Sequence, residues 1–153
     1  MFDCGRESLN NWFRRYAWHN QQSDVSRTSV IADLSNGRIA GFVSLSATQI
    51  ERSWLPKTAT RNKPDPMPAI LLGQLAVDLS FQGCGCATSL MRFALNTALR
   101  IADGIGCFAV VAHPLDEHWR GFYRQFGFKN LPFDPGCSMA VRISVLRANG
   151  LSF

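Results

Sequence analysis

An apolar run from Ala69 to Val77 passes through Asp78-Leu79-Ser80-Phe81-Gln82-Gly83-Cys84-Gly85 into a segment of helical spacing that starts at Cys86-Ala87-Thr88. A buried strand that turns through glycines into a helix demands a fold in which a sheet and a helix lie in adjacent layers. The same turn has a chemistry. Unpaired backbone N–H groups and the positive end of the helix dipole meet there, which suits an anion. Gly83 and Gly85 allow dihedrals that a Cβ forbids and let a ligand come close to the backbone. Taken alone, the residues fit either a tight strand–helix connection or a phosphate site. Two phosphate loops are excluded. A Walker loop ends in Gly-Lys-Ser/Thr, whereas Gly85 is followed by Cys86-Ala87. A dinucleotide fingerprint needs a third spaced glycine and an acid at a strand end, and Asp103 falls at a helix end.

The rest of the chain can be read by periodicity. Leu9, Trp12, Phe13, Tyr16 and Ala17 recur at three- and four-residue intervals, so Gly5 to about Gln21 is expected to be an amphipathic helix with Arg14 and Arg15 facing away. Arg27–Ala32 and Arg38 to about Thr48 read as strands joined across Asn36-Gly37, a hairpin signal. Arg52 to Pro68 is rich in proline and cations and is expected to be an irregular loop. Ala69–Val77 is the central strand, with Gly73 a plausible bulge. A helix follows from Cys86 to about Asp103, then a buried strand, Cys107–Ala112. Asp116–Gln125 reads as a short helix, acidic in its first turn and ended by Gly127, and Ser138–Val145 as a last strand. Helix, three strands, helix, strand, helix, strand predicts an α+β, α/β-type layered fold with a mixed sheet covered by helices on both faces.

A chain of 153 residues, 46% apolar and 18% charged, suits one domain over 1–153 with one core. No apolar stretch is long enough to cross a bilayer and no signal peptide is visible, so a cytoplasmic location is expected, with no membrane partner. The five cysteines are an odd, scattered set, which argues against a disulfide framework. Cys84-x-Cys86 lacks a second Cys or His pair, and His113 and His118 lack a third ligand, so no metal is expected. The net charge is +5, and Arg6, Arg14, Arg15, Arg27, Arg52, Lys57, Arg61 and Lys63 all fall in the first half of the chain. A basic surface there would suit a polyanion such as RNA.

Val77-x4-Gln82-x-x-Gly85-x-Ala87 resembles the pyrophosphate loop, Gln/Arg-x-x-Gly-x-Gly/Ala, of the GNAT superfamily of acetyl-CoA-dependent N-acetyltransferases. Within it the chain resembles the toxin acetyltransferases of type II toxin–antitoxin pairs. The matching segments are Phe2-Asp-Cys-Gly5, Leu9-Asn10-x-Trp12, Ser26-Arg27-Thr28, Ser44-Leu-Ser-Ala47, Pro68-Ala-Ile-Leu-Leu-Gly73, Leu75-Ala-Val-Asp78, Asp116-Glu117 and Phe122-Tyr123-x-x-Phe126-Gly127-Phe128. They run in order through nearly the whole chain. The resemblance implies a GNAT-like mixed, mostly antiparallel sheet, with acetyl-CoA as co-substrate. It places the diphosphate on Gln82, Gly83, Cys84, Gly85, Cys86, Ala87 and Thr88, and the pantetheine arm beside Leu75, Ala76 and Val77. An N–H near Gly73 would polarise the acetyl carbonyl. Three departures stand out: Cys84 where the loop is often basic, Gln74 where arginine is common, and a start almost at the Asp-Cys-Gly turn, where these toxins usually have a preceding strand.

The resemblance also makes Tyr123 the acid that faces the coenzyme sulfur; on residue type alone it is equally one more aromatic beside Phe122, Phe126 and Phe128. A phenol near pKa 10 is protonated at neutral pH and can donate to a departing thiolate. No His or carboxylate stands out as general base, which favours an α-amine acceptor: its pKa near 7.7–8.0 leaves a useful neutral fraction, unlike lysine near 10.4. The implied acceptor is aminoacyl-tRNA, whose acetylation blocks translation. Arg27 is the foremost tRNA contact, with Lys57, Arg61 and Lys63 behind it. A ribbon-helix-helix antitoxin is implied, and a two-fold homodimer is the default assembly. Two alternatives remain: the same fold acting on a small amine or a protein N-terminus, and a silent domain that only binds coenzyme or a partner.

Overall fold

The computed structural model describes residues 1–149. Its elements are α1 (Glu7–Trp12), a π-helical turn (Phe13–Ala17), α2 (Trp18–Gln22), β1 (Arg27–Ala32), β2 (Ile39–Ile50), α3 (Lys57–Thr60), β3 (Met67–Val77), α4 (Cys86–Gly104), β4 (Ala109–Ala112), α5 (Glu117–Arg124), β5 (Lys129–Asn130), β6 (Met139–Arg142) and α6 (Ile143–Ala148). Short 3-10 turns occupy Arg52–Trp54 and Leu79–Phe81. The strands form a six-stranded sheet in the order β1-β2-β3-β4-β6-β5. The β1–β2, β4–β6 and β5–β6 pairs are antiparallel. This is the expected α+β architecture. No helix among the described residues is long and apolar enough to cross a membrane.

The chain divides into two compact units, Met1–Ser46 with Leu72–Ala94, and Ala47–Leu71 with the chain from Leu95 onward, the divisions falling within β2, β3 and α4. In the first, β1 pairs with β2 from Arg27↔Leu45 to Ala32↔Ile39, with a register shift between Ile31 and Ala32. The turn is wider than a two-residue Asn-Gly hairpin: the Asp33 N–H donates to the Arg38 carbonyl and the Gly37 N–H to the Asp33 carbonyl, at 2.8 and 2.7 Å. Phe42, wholly buried, anchors this unit. The rings of Phe13 and Trp12 stack on it at 4.4 and 5.9 Å, and Phe2 packs edge-on at 5.4 Å. The predicted N-terminal helix is therefore present, but its middle turn is π rather than α. The extra residue keeps Ala17 in the buried stripe and puts Tyr16, expected there, half into solvent.

The second unit is built on Ile50, Met67, Ala69, Ala109 and Val111, with Trp54, Leu55, Phe108 and Ala140 packed against them. Asp116 caps α5 by accepting from the Trp119 N–H at 3.0 Å, and Gly127 follows in the left-handed region at φ 93°, as the sequence predicts. Two expectations need correction here. Arg52–Pro68 is not wholly irregular: the 3-10 turn and α3 lie within it, α3 starting after Pro56, and β3 already begins at Met67. The strand expected over Ser138–Val145 ends at Arg142, where the chain turns into α6 and buries Ile143 and Leu146, three residues apart, on one helical face.

Candidate functional site

The β3 segment Leu75-Ala76-Val77 is buried, and the chain leaves it through Asp78 and the Leu79–Phe81 turn to reach Gln82. Gly83 and Gly85 both take left-handed backbone, at φ 81° and 82°. Their Cβ positions are open, with no atom within 4 Å, so the glycines serve backbone direction and close approach rather than packing. Gln82 to Gly85 are exposed, and Cys86, Ala87 and Thr88 half-buried, at the N-terminus of the 19-residue α4. A hydrogen-bonded turn over Gln82 to Gly85 leads directly into the first turn of α4. The N-terminal end of a long helix, with open space beside two left-handed glycines, suits a diphosphate.

A network legible only in the structure fixes where this turn begins. Asp78, 3% exposed, accepts from the Asp3 N–H at 3.0 Å and the Ser80 N–H at 2.8 Å, with the Arg38 guanidinium at 3.5 Å. Burial alone would raise the Asp78 carboxyl. The hydrogen bonds from Asp3 and Ser80, helped by Arg38, outweigh it and hold the group below the usual aspartate value. Asp3 accepts from the Gly5 N–H and from Asn10 Nδ2, at 2.9 and 2.8 Å, while buried Asn10 takes the Cys4 N–H at 2.9 Å. The Leu79 N–H donates to the Asp3 carbonyl at 2.8 Å. Gln82 faces inward: its Nε2 donates to the carbonyls of Val77 and Cys4 at 3.1 and 3.3 Å. The Asp-Cys-Gly turn and the glycine loop thus form one braced body. Phe2-Asp-Cys-Gly5 and Leu9-Asn10 stand out in the sequence, but their pairing with Asp78 and Gln82 does not.

This bracing has a testable consequence. Asp78→Asn removes the charge that Arg38 and two N–H groups face, and should cost about 1–3 kcal/mol of stability, the range for a buried acceptor left mismatched. The folded carboxyl sits below its unfolded value, so its stabilisation is complete above the ordinary aspartate pKa and is lost as pH falls through the lowered one. Thermal melts should therefore show wild type losing its advantage over Asp78→Asn below about pH 4. Parallel melting curves for the two proteins from pH 3 to 7 would exclude a bracing role.

In the second unit Tyr123 lies on α5 with 5% of its surface exposed. Its ring packs on Phe128 at 5.2 Å and Phe122 at 5.8 Å. The hydroxyl makes no hydrogen bond among the described residues, yet it is not one of the fully buried unpaired oxygens, which are those of Ser26 and Thr28, so it is open to a ligand. Burial drives the phenol well above its ordinary pKa, so it stays protonated across the working range.

The predicted cations fall in different places. Arg27, in the first unit, binds Asp24 Oδ1 at 2.6 Å and the Gln21 carbonyl at 2.8 Å, closing the end of α2. Lys57 and Arg61, in the second, are exposed, and Lys63 lies over the Phe108 ring at 5.7 Å. Such an exposed Arg27 pair is worth about 0–1 kcal/mol, so a phosphate can compete for it. All five cysteines are free, and no group of three His, Cys, Asp or Glu among the described residues could hold a metal. The second unit also holds a contact the sequence hides: Ser138 Oγ meets His113 Nδ1 at 2.8 Å, and Asp134 accepts from the Ser138 N–H at 3.0 Å.

The strand-to-helix glycine loop sits within residues 26–130, which match the model of the acetyltransferase (GNAT) domain. The chain belongs to the GNAT acetyltransferase family. It is 37% identical over 134 residues to a tRNA-acetylating toxin of Mycobacterium tuberculosis, covering 88% of this chain and 80% of that one. Its fold matches AtaT complexed with acetyl-methionyl-tRNAfMet at a TM-score of 0.89 and 25% identity, over 97% of this chain and 89% of the other. It also matches AtaTR bound with acetyl-CoA at a TM-score of 0.83 and 24% identity, over 97% and 88%.

Proposed function

We propose that this acetyltransferase is a toxin that moves the acetyl group of acetyl-CoA to the α-amino group of an aminoacyl-tRNA and so blocks translation. The observation that carries the coenzyme assignment is the pair of left-handed glycines, open at their Cβ positions, at the N-terminus of α4. The acceptor assignment is supported by the two relatives named for tRNA.

The amides from Gln82 to Ala87 would hold the diphosphate, with Cys84 in place of a cation and Thr88 on the first helical turn. The backbone of Leu75, Ala76 and Val77 would flank the pantetheine arm. Bound acetyl-CoA supplies an activated acyl group. The chain's task is to orient it, exclude water and manage one proton. An α-amine is partly neutral without help from a base. Its proton is released as the amide forms, and a thiolate needs one. Tyr123 acts on the thiolate side. Because burial raises its phenol far above a thiol near 8.5, it gives the thiolate a hydrogen bond rather than ceding its proton for good. The proton that finally reaches sulfur comes from the amine.

Arg27 would contact the acceptor by exchanging Asp24 for a phosphate. Arg27→Glu should lower kcat/KM for charged tRNA about ten-fold, the scale of a charge-assisted contact, and leave acetyl-CoA affinity within about two-fold. Equal losses in both would remove the acceptor role. Lys57 and Arg61 would add salt-sensitive phosphate contacts. A ribbon-helix-helix antitoxin with a tail that covers the toxin is the proposed partner, in the cytoplasm.

Incubation with labelled acetyl-CoA and total charged tRNA tests the whole proposal. Label on the aminoacyl group is expected. Turnover only with small amines or peptide N-termini would reassign the acceptor, and coenzyme binding without turnover would make the chain a silent binding domain.

A further inference from the structure

The π turn at Phe13–Ala17 has a consequence for the surface of the first unit. Leu9, Trp12 and Phe13 hold the helix against Phe42, so the turn's extra residue displaces side chains to the outside. Beyond it Trp18 is 69% exposed, an unusual state for the largest apolar side chain. Arg14, Arg15, Trp18, His19 and Gln22 are all exposed along this turn and the helix that follows it. No acid occurs from Ser8 to Ser23. Arg14 is held by Glu7 at 2.8 Å, whereas no ion pair is recorded for Arg15 among the described residues. Turns of the π type concentrate at functional sites.

We infer that this face is a stacking platform for the single-stranded 3′ end of the acceptor RNA, with Trp18 under a base and Arg15 on an adjacent phosphate. The inference rests on the tRNA proposal above and deepens it. An aromatic face bordered by cations is the arrangement that binds single strands, because every base offers a π face and every linkage a charge. The absence of acids over this stretch gives the platform the sign a polyanion needs. An acidic peptide would meet the cations but would leave the flat indole without a matching plane.

The test uses the full chain with a short single-stranded RNA ending in CCA, a duplex RNA of equal length, and polyglutamate. Trp18→Ala should weaken the single strand about ten-fold, the size of one base–aromatic stack, with Trp18→Phe recovering most of it. Duplex affinity should be unmoved by Trp18→Ala but lowered by Arg15→Glu. Acetyl-CoA affinity and melting temperature should be unchanged in all three variants. Equal single-strand affinity in Trp18→Ala and wild type would overturn the platform. So would a Trp18 dependence seen with polyglutamate instead of RNA, or a dimer that Trp18→Ala turns into a monomer. Because no acetylation is involved, a Trp18-dependent single-strand affinity beside failed acetylation of charged tRNA leaves the platform standing and removes only the toxin assignment.

Discussion

Gly85→Val is expected to abolish acetyl-CoA binding in a protein that still folds. Gly85 holds φ 82°, where a β-branched residue is a severe outlier, at a strain of about 1–2 kcal/mol for leaving the left-handed region unrelieved. Nothing lies within 4 Å of the new Cβ, so no core atom is displaced. The loop instead relaxes by turning its peptide planes, and the amides on either side no longer converge. Losing two hydrogen bonds to a charged group, at about 1.5 kcal/mol each, raises Kd about 100-fold or more. The strain lowers the melting temperature by only about 2–8 °C. Calorimetry with acetyl-CoA checks the first figure and a thermal melt the second. Unchanged affinity would remove the loop from the coenzyme site, and a collapsed melt would make Gly85 a folding residue.

Tyr123→Phe is expected to separate chemistry from binding and from stability. It deletes one hydroxyl from a ring already packed by Phe122 and Phe128, so the volume is kept. That hydroxyl has no partner among the described residues, so its removal should leave stability unchanged within about 1 kcal/mol. The acetyl-CoA Kd should hold within about three-fold, while kcat falls about 10²–10³-fold, the range for loss of one hydrogen-bond donor to developing charge. A fall in kcat of less than about three-fold would return Tyr123 to the role of a core aromatic. A fall in stability would mean that the hydroxyl has a structural partner after all.

The readable parts of this chain are those set by local periodicity and local backbone chemistry. Gly83 and Gly85, the start of α4 at Cys86 and the Gly127 cap each follow from neighbours within about one turn of chain, and each is where the sequence places it, whereas Asp116, expected in the first turn of α5, caps it instead. The misread parts are decided by competition. Met139, Val141, Ile143 and Val145 alternate as a strand would, yet Ile143 and Leu146 bury together once the chain turns at Arg142. At Phe13–Ala17 a regular helix would bury Tyr16. Close stacking on Phe42 selects a wider turn that buries the smaller Ala17, a tertiary preference that spacing cannot reveal. Asp3, Asn10, Asp78 and Gln82 were hidden for a third reason. Their bonds span as many as 78 positions, and a buried polar residue looks like a surface one until its partner arrives. The loop was legible, its bracing was not. For Tyr123, burial explains its protonation, whereas its meeting with a coenzyme sulfur is a proposal drawn from the family pattern.

In the proposed complex the backbone amides from Gly83 to Cys86 receive the diphosphate of acetyl-CoA. Amide NMR during titration tests it directly, with acetyl-CoA in one arm and acetyl-pantetheine, which lacks the diphosphate, in the other. The predicted result is large downfield shifts at Gly83, Cys84, Gly85 and Cys86 with acetyl-CoA alone. Saturable binding of acetyl-CoA that leaves those four resonances unmoved would contradict it.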